Sequence, residues 1–214
     1  MNLNKLLEIV KEAALKGGEE ILKIYDTDFS VEEKDDNSPL TQADKNANAV
    51  IEEILKETNI PILSEEGRSI DYSERKDWEY LWIVDPLDGT KEFVKRNGEF
   101  TVNIALIKDG VPILGVIYVP VKEWLYYGHQ EIGSFKIENG ELEKLPRQIT
   151  KEKYVAVGSR SHKSSETEAY FKELSEEHGE IEIVSMGSSL KICLVAEGVA
   201  DEYPRFAPTM EWDT

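Results

Sequence analysis

Tyr80-Leu81-Trp82-Ile83-Val84-Asp85-Pro86-Leu87-Asp88-Gly89-Thr90 decides how the rest of the chain is read. Its first five residues form a near-continuous apolar run, which predicts a central strand covered on both faces. The run stops at Asp85. Pro86 lacks an N–H and is expected to help end the ladder. Gly89 permits a sharp turn. Asp88 lies three residues after Asp85, and two carboxylates so close repel, so that one holds a proton unless a cation lies between them. Mg²⁺ suits such hard oxygen ligands and commonly keeps positions for water and substrate phosphate. Taken alone, the stretch is explained as simply by a strand running into an Asp-Gly turn.

Three other acidic segments bear on that reading. Upstream, Ile60-Pro61-Ile62-Leu63 predicts a short buried strand ending at Ser64-Glu65-Glu66-Gly67. Glu65 reaches the same cation if the two strands are neighbours; otherwise it belongs to a solvated turn. Pro39-Leu40-Thr41-Gln42-Ala43-Asp44 precedes an apolar helical pattern, and Thr41-x-x-Asp44 reads as a capping box with Thr41 as N-cap. Asp44, in the first turn, is still able to face a site. Met210-Glu211-Trp212-Asp213 says nothing alone.

The flanking chain predicts alternating helices and strands. Leu3, Leu6, Leu7, Val10, Ala14, Ile21 and Ile24 recur at helical spacing, so residues 3–25 are expected to form a helix, with Gly17-Gly18 a close packing point or a weak spot. Residues 27–34 read as extended, 35–39 as a loop, 42–57 as a second helix with Ala47, Val50, Ile51 and Ile54 inward, and 68–79 as a polar loop. Lys108-Asp109-Gly110 between apolar runs predicts a hairpin of strands 101–107 and 111–119. Strands follow at 124–128 and 133–137. Residues 138–152 read as a polar link between two subdomains, residues 1–140 and residues 141–214. The latter is expected to hold strands at 154–157 and 181–185 and helices at 165–177 and 188–197.

Composition excludes several classes. Forty-three Asp plus Glu against 25 Lys plus Arg give the 214-residue chain a net charge of −18, which argues against a broad contact with nucleic acid. A phosphorylated substrate would also be repelled, unless divalent cations reverse the local sign. Cys193 is the only cysteine, so no internal disulfide forms. Met1 to Lys11 is amphipathic and lacks the apolar segment of a leader, and no run of about 18 apolar residues predicts a membrane span.

Jointly, D-P-L-D-G-T at 85–90, E-E-G at 65–67, T-x-A-D at 41–44 and W-D at 212–213 resemble the inositol-monophosphatase-like, lithium-sensitive, magnesium-dependent phosphatases. Asp88-Gly89-Thr90-Lys91-Glu92-Phe93 is similar to their 3′(2′),5′-bisphosphate nucleotidase branch. So are Gly158-Ser159-Arg160-Ser161-His162 and Gly187-Ser188-Ser189-Leu190-Lys191, the latter running on through Tyr203-Pro204-Arg205. The resemblance covers essentially the whole chain. It implies a layered α/β/α/β/α sandwich of the sugar-phosphatase type, a cytoplasmic enzyme with peripheral membrane association allowed, two or three Mg²⁺ ions, lithium inhibition and pairing into a homodimer. It also implies that Glu65, Asp85 and the Leu87 carbonyl hold one ion, and Asp85, Asp88 and Asp213 a second. Asp44 and Thr90 would orient and deprotonate water; Gly89, Thr90, His162, Ser188, Lys191 and Arg205 would meet the substrate. Two metals about 4 Å apart suit one in-line displacement. The resemblance points to Ser188 and Lys191 at i and i+3 on one helix face, suited to a phosphate or ribose contact near a helix N-terminus; without it, Ser188 reads as an N-cap, and Lys191, Arg205 and His162 as surface residues.

The family pattern normally continues past W-D-T, whereas this sequence ends at Thr214. A frayed Asp213 and a weak second metal site are therefore expected. The implied reaction is hydrolysis of 3′-phosphoadenosine 5′-phosphate, a by-product of sulfate assimilation, to AMP and phosphate. The competing expectations are inositol monophosphate or fructose bisphosphate hydrolysis at the same site, an inactive metal-binding chain, and a nucleotide-binding module without catalysis.

Overall fold

A computed structural model describes residues 1–27, 39–159 and 164–213. Helix α1 spans Leu3–Tyr25 and α2 spans Pro39–Lys56. Asn2 caps α1, its side chain accepting the Lys5 amide at 3.1 Å. The two helices pack against each other and cover one face of a large sheet. Gly17 and Gly18 are the close packing point: an added Cβ would lie 2.7 Å from Ile51 Cδ1 at Gly17 and 2.5 Å from the Tyr118 ring at Gly18.

The large sheet has seven strands in sequential order: β1 (Ile62–Ser64), β2 (Tyr80–Asp88), β3 (Thr101–Lys108), β4 (Val111–Val119), β5 (Trp124–His129), β6 (Gly133–Glu138) and β7 (Glu141–Leu145). Only the β1–β2 pairing is parallel; the rest are antiparallel. Asp109 and Gly110 turn β3 into β4 with φ of +49° and +78°, as the Asp-Gly signal requires. Trp82, Val84, Val102, Ile104 and Leu106 pack against Val10, Ile21, Ala47 and Ile51 in the main core. A second, two-stranded parallel sheet joins β8 (Val155–Ser159) to β9 (Glu182–Met186) through helix α5 (Ser165–His178). Helix α6 (Leu190–Ala196) follows, packed on β8 and β9.

Several boundaries differ from expectation. Helix α2 already begins at Pro39, so Thr41 lies inside its first turn and is not an N-cap; proline is well tolerated at a first helical position, which needs no N–H. The polar stretch 68–79 holds a one-turn helix, α3 (Tyr72–Arg75), capped by Asp71. The expected linker 138–152 contains β7, because Asn139-Gly140 closes a hairpin with both residues at positive φ. Its charged side chains suit a sheet edge. β2 is the second strand of the sheet rather than a central one, and it does not end at Asp85. The strand runs on through Pro86 to Asp88, with Asp85 opposite Asn103 and Asp88 opposite Thr101. This irregularity absorbs the proline that was expected to stop the ladder. The expectations for 28–34 and 35–38 lie outside the described residues. Among the described residues, no helix is long and apolar enough to cross a membrane.

Candidate active site

Parallel pairing of β1 with β2 brings the first two acidic segments together. Ser64 is opposite Val84, and the Glu65 amide donates to the Val84 carbonyl at 3.1 Å, which places Glu65 beside Asp85. The Glu65 and Asp85 carboxyls lie close enough to act on each other's ionisation. The end of β1 is pinned to α2, where Ser64 Oγ donates to Asn48 Oδ1 at 2.6 Å. Asp44 lies one turn before Asn48 on the same buried face of α2, and its charge acts on Asp85.

Asp85 is 1% exposed. Its Oδ1 accepts the Leu87 amide at 3.1 Å, so the Asx-turn geometry and the acidic cluster coexist. The irregularity after Asp85 turns the chain so that Asp88 faces the same space. Asp88 Oδ2 accepts the Ser189 amide at 2.5 Å. Ser189 is fixed in turn by Thr101 and Asn103, each 2.8 Å from its hydroxyl. One carboxylate oxygen from each of Asp85, Asp88 and Asp213 lies within 4.8 Å of the others. Asp213, expected to be frayed, sits on the short turn Glu211–Asp213, with Oδ2 accepting Thr209 Oγ1 at 2.7 Å and the Met210 amide at 3.0 Å.

Crowding shows in the acidities. Burial holds the Asp85 carboxyl well above its ordinary range, and the charges of Asp88, Glu65, Asp44 and Asp213 add to the shift. Burial also raises Asp88, against the opposing pull of Lys191 and the Ser189 amide. Glu65 keeps an exposed flank; partial desolvation raises its carboxyl, against the pull of the Asp85 side chain, and the charges of Glu66, Asp213 and Asp88 raise it further. An all-oxygen donor set whose members are hard to ionise together fits a hard divalent cation such as Mg²⁺ or Mn²⁺.

Gly89 ends the irregular strand at φ +95°, where an added Cβ would meet the Glu99 carbonyl and Ser188 Cβ, each at 3.1 Å. That close approach lets Thr90 open the short helix α4 (Thr90–Val94). Phe93 anchors α4, with its ring 5.3 Å from Tyr25 and 5.5 Å from Phe100. Helix α4 packs on α2, which carries Asp44.

The Gly187-Ser188-Ser189 turn forms the opposite wall. Ser188 is not the N-cap of α6 and does not share a helix face with Lys191. It precedes the helix at φ +46°, a left-handed conformation uncommon for a non-glycine residue. The cause is packing: Gly187 donates its amide to Glu99 Oε2 at 2.8 Å, and an added Cβ there would lie 2.5 Å from Glu92 Cγ. Lys191 is buried, not a surface charge, and its Nζ donates to the Ser188 carbonyl at 2.5 Å. Burial lowers its pKa, against the charges of Asp88, Glu92 and Glu99. Arg205 is exposed at the rim, its guanidinium 3.8 Å from the Asp213 carboxylate and 3.3 Å from the Tyr203 hydroxyl. The expectation for His162 lies outside the described residues.

Sequence reasoning missed Glu92, Glu99, Asn103, Ser189 and the Arg75–Glu211 pair. Each belongs to a type that is ordinarily solvated, and only burial or a long-range partner reveals its part. An apolar groove of about 840 Å³ runs along the other face of the large sheet and reaches Asn103, Ser189 and Asp213. Much of its lining, including Ile83, Ile107, Ile117 and Phe135, is unsuited to phosphate, so the carboxylate end is where the chemistry concentrates.

This fold with this cluster defines a phosphatase class. The chain matches the inositol monophosphatase family over residues 2–214 and belongs to it. It is 46% identical over 213 residues to the 3′(2′),5′-bisphosphate nucleotidase CysQ of Salmonella typhimurium, covering 98% of this chain and 84% of that one. The namesake from Escherichia coli strain K12 shows the same identity and coverage. The crystal structure of CysQ from Bacteroides thetaiotaomicron, a bacterial member of the inositol monophosphatase family, superposes with a TM-score of 0.93 at 52% identity, over 98% of this chain and 82% of that one. The mixed sheet and its helices thus have the sandwich fold of this family, as the resemblance implied.

Proposed function

We propose that the chain is a Mg²⁺-dependent 3′(2′),5′-bisphosphate nucleotidase that hydrolyses 3′-phosphoadenosine 5′-phosphate to AMP and inorganic phosphate. The observation that carries the reading is the convergence of Asp85, Asp88 and Asp213 within 4.8 Å, with Glu65 set beside Asp85 by the pairing of β1 with β2. Relatives named for this activity, matched over 98% of the chain, support it.

Glu65, Asp85 and the Leu87 carbonyl would hold one ion, and Asp85, Asp88 and Asp213 a second. Bound Mg²⁺ supplies a lowered water pKa and neutralises charge spread over the phosphoryl oxygens. Thr90 takes the proton from the attacking water and passes it to Asp44, since a hydroxyl alone is a weak base. Gly89 and Ser188 meet the phosphoryl group, and Lys191 and Arg205 offset its charge from the opposite wall. His162 comes to the proposal from the family resemblance, as a contact to the nucleotide. A third ion, lithium inhibition, a cytoplasmic location and pairing of two copies come to the proposal from the family alone.

The test is phosphate release from 3′-phosphoadenosine 5′-phosphate, inositol monophosphate and fructose bisphosphate, each with Mg²⁺ and with EDTA. The bisphosphate nucleotide should be turned over fastest, and only with Mg²⁺. Faster turnover of inositol monophosphate would refute the nucleotide assignment; turnover in EDTA would refute the metal mechanism.

A further inference from the structure

We infer that Arg75, on α3, is a positioning residue for the Asp213 carboxylate, and through it for the metal site that Asp213 completes; this rests on the metal reading proposed above. Asp213 is carried on a three-residue turn closed by its own amide donating to the Met210 carbonyl at 3.2 Å. The hydrogen bonds from Thr209 and Met210 orient the carboxylate within that turn. They do not place the turn against Asp85 and Asp88. Packing against β2 and β3 sets the turn there, and Arg75 fixes its position further: it forks onto Glu211 across 136 positions of sequence, Nη1 to Oε1 at 2.9 Å and Nη2 to Oε2 at 2.7 Å. Two parallel charge-assisted bonds fix orientation as well as distance.

The origin of the fork matters. Helix α3 belongs to the connection between β1 and β2, and so lies between Glu65 and Asp85 in the chain. The pair therefore ties the turn that bears one carboxylate to the segment that joins two others. Arg75 is itself held: its side chain is 15% exposed, and its guanidinium lies 5.5 Å from the centre of the Tyr72 ring. The turn packs against β2 and β3, so a small shift of Glu211 moves Asp213 along the strand that carries Asp85 and Asp88. A lysine keeps the charge at 75 but cannot fork. Residues that orient a metal ligand without touching the ion commonly change affinity tenfold or more.

Mn²⁺ binding to the full chain, followed by the electron paramagnetic resonance of the free ion, tests this without substrate. Wild type should show two classes of site. Asp213→Asn should abolish the class that Arg75→Met and Glu211→Gln each weaken, by about tenfold. Arg75→Lys should fall between, and the double variant should be no worse than either single one, because both remove one interaction. The other class and the melting temperature in EDTA should stay at wild-type values. Two wild-type classes unchanged by Arg75→Met overturn this inference alone. So does an equal loss in both classes with a lower melting temperature, which marks general loosening, or a single wild-type class indifferent to Arg75. A wild type that binds no Mn²⁺ overturns both this inference and the metal reading beneath it.

Discussion

Asp85→Asn should destroy activity while making the metal-free protein more stable. The three carboxylate oxygens lie within 4.8 Å of one another. Two unit charges at that distance, in an effective dielectric of about 20, repel by about 3.5 kcal/mol, so the fully ionised triangle costs about 10 kcal/mol. That is comparable to the whole stability of a typical domain. Solvent at the half-buried Asp88 and Asp213 screens part of this cost, and protonation caps it, which leaves about 1–2 kcal/mol as the net gain from neutralising Asp85 at pH 8. Asparagine conserves the local structure, because its Oδ1 still accepts the Leu87 amide. For a chain of this size, the gain raises the melting temperature by about 2–8 °C in EDTA. Mg²⁺ should then stabilise the parent and leave the variant nearly unchanged, while phosphate release falls by more than about a hundredfold. Circular dichroism melts of both proteins, in EDTA and in Mg²⁺, decide the matter. A variant that melts below its parent in EDTA, or that gains as much from Mg²⁺, would show that repulsion around Asp85 is not what the cation relieves.

Other outcomes follow from the same geometry. The Asp85 carboxyl is held above its ordinary value, so the native state binds more protons than the unfolded one between about pH 4 and the raised pKa. This contribution to metal-free stability is largest in acid and is lost as pH rises; the melting-temperature increment from Mg²⁺ should therefore grow from pH 5 to 8, and a flat increment would contradict it. Asp44→Asn and Thr90→Val should each lower kcat by about a hundredfold or more with Mn²⁺ binding retained, measured by steady-state kinetics and metal titration. Gly18→Ala places a methyl 2.5 Å from the Tyr118 ring and should cost about 1–3 kcal/mol in denaturant unfolding with KM unchanged. Arg205→Ala, at the exposed rim, should raise KM for the bisphosphate nucleotide several-fold and leave the melting temperature alone.

Elements with strong periodicity, and the motifs that point to the chemistry, are readable along the chain. The helix over residues 3–25, the Asp109-Gly110 hairpin and the apolar strand leading to Asp85 rest on local rules that neighbours in the chain satisfy. Acidic residues at 44, 65, 85, 88 and 213 were legible as a set because their motifs are specific together, even though each alone reads as a cap or a turn. How they meet depends on packing between distant segments. Parallel pairing of β1 with β2 sets Glu65 beside Asp85, the strand irregularity aims Asp88, and the Arg75–Glu211 fork ties in the turn of Asp213. The left-handed backbone of Ser188 and the burial of Lys191, Glu92 and Glu99 were likewise invisible, because they arise where the 187–189 turn meets Gly89, Glu92 and Glu99. Local propensity acts over a few residues, whereas desolvation and charge crowding depend on distances between segments that only packing brings together.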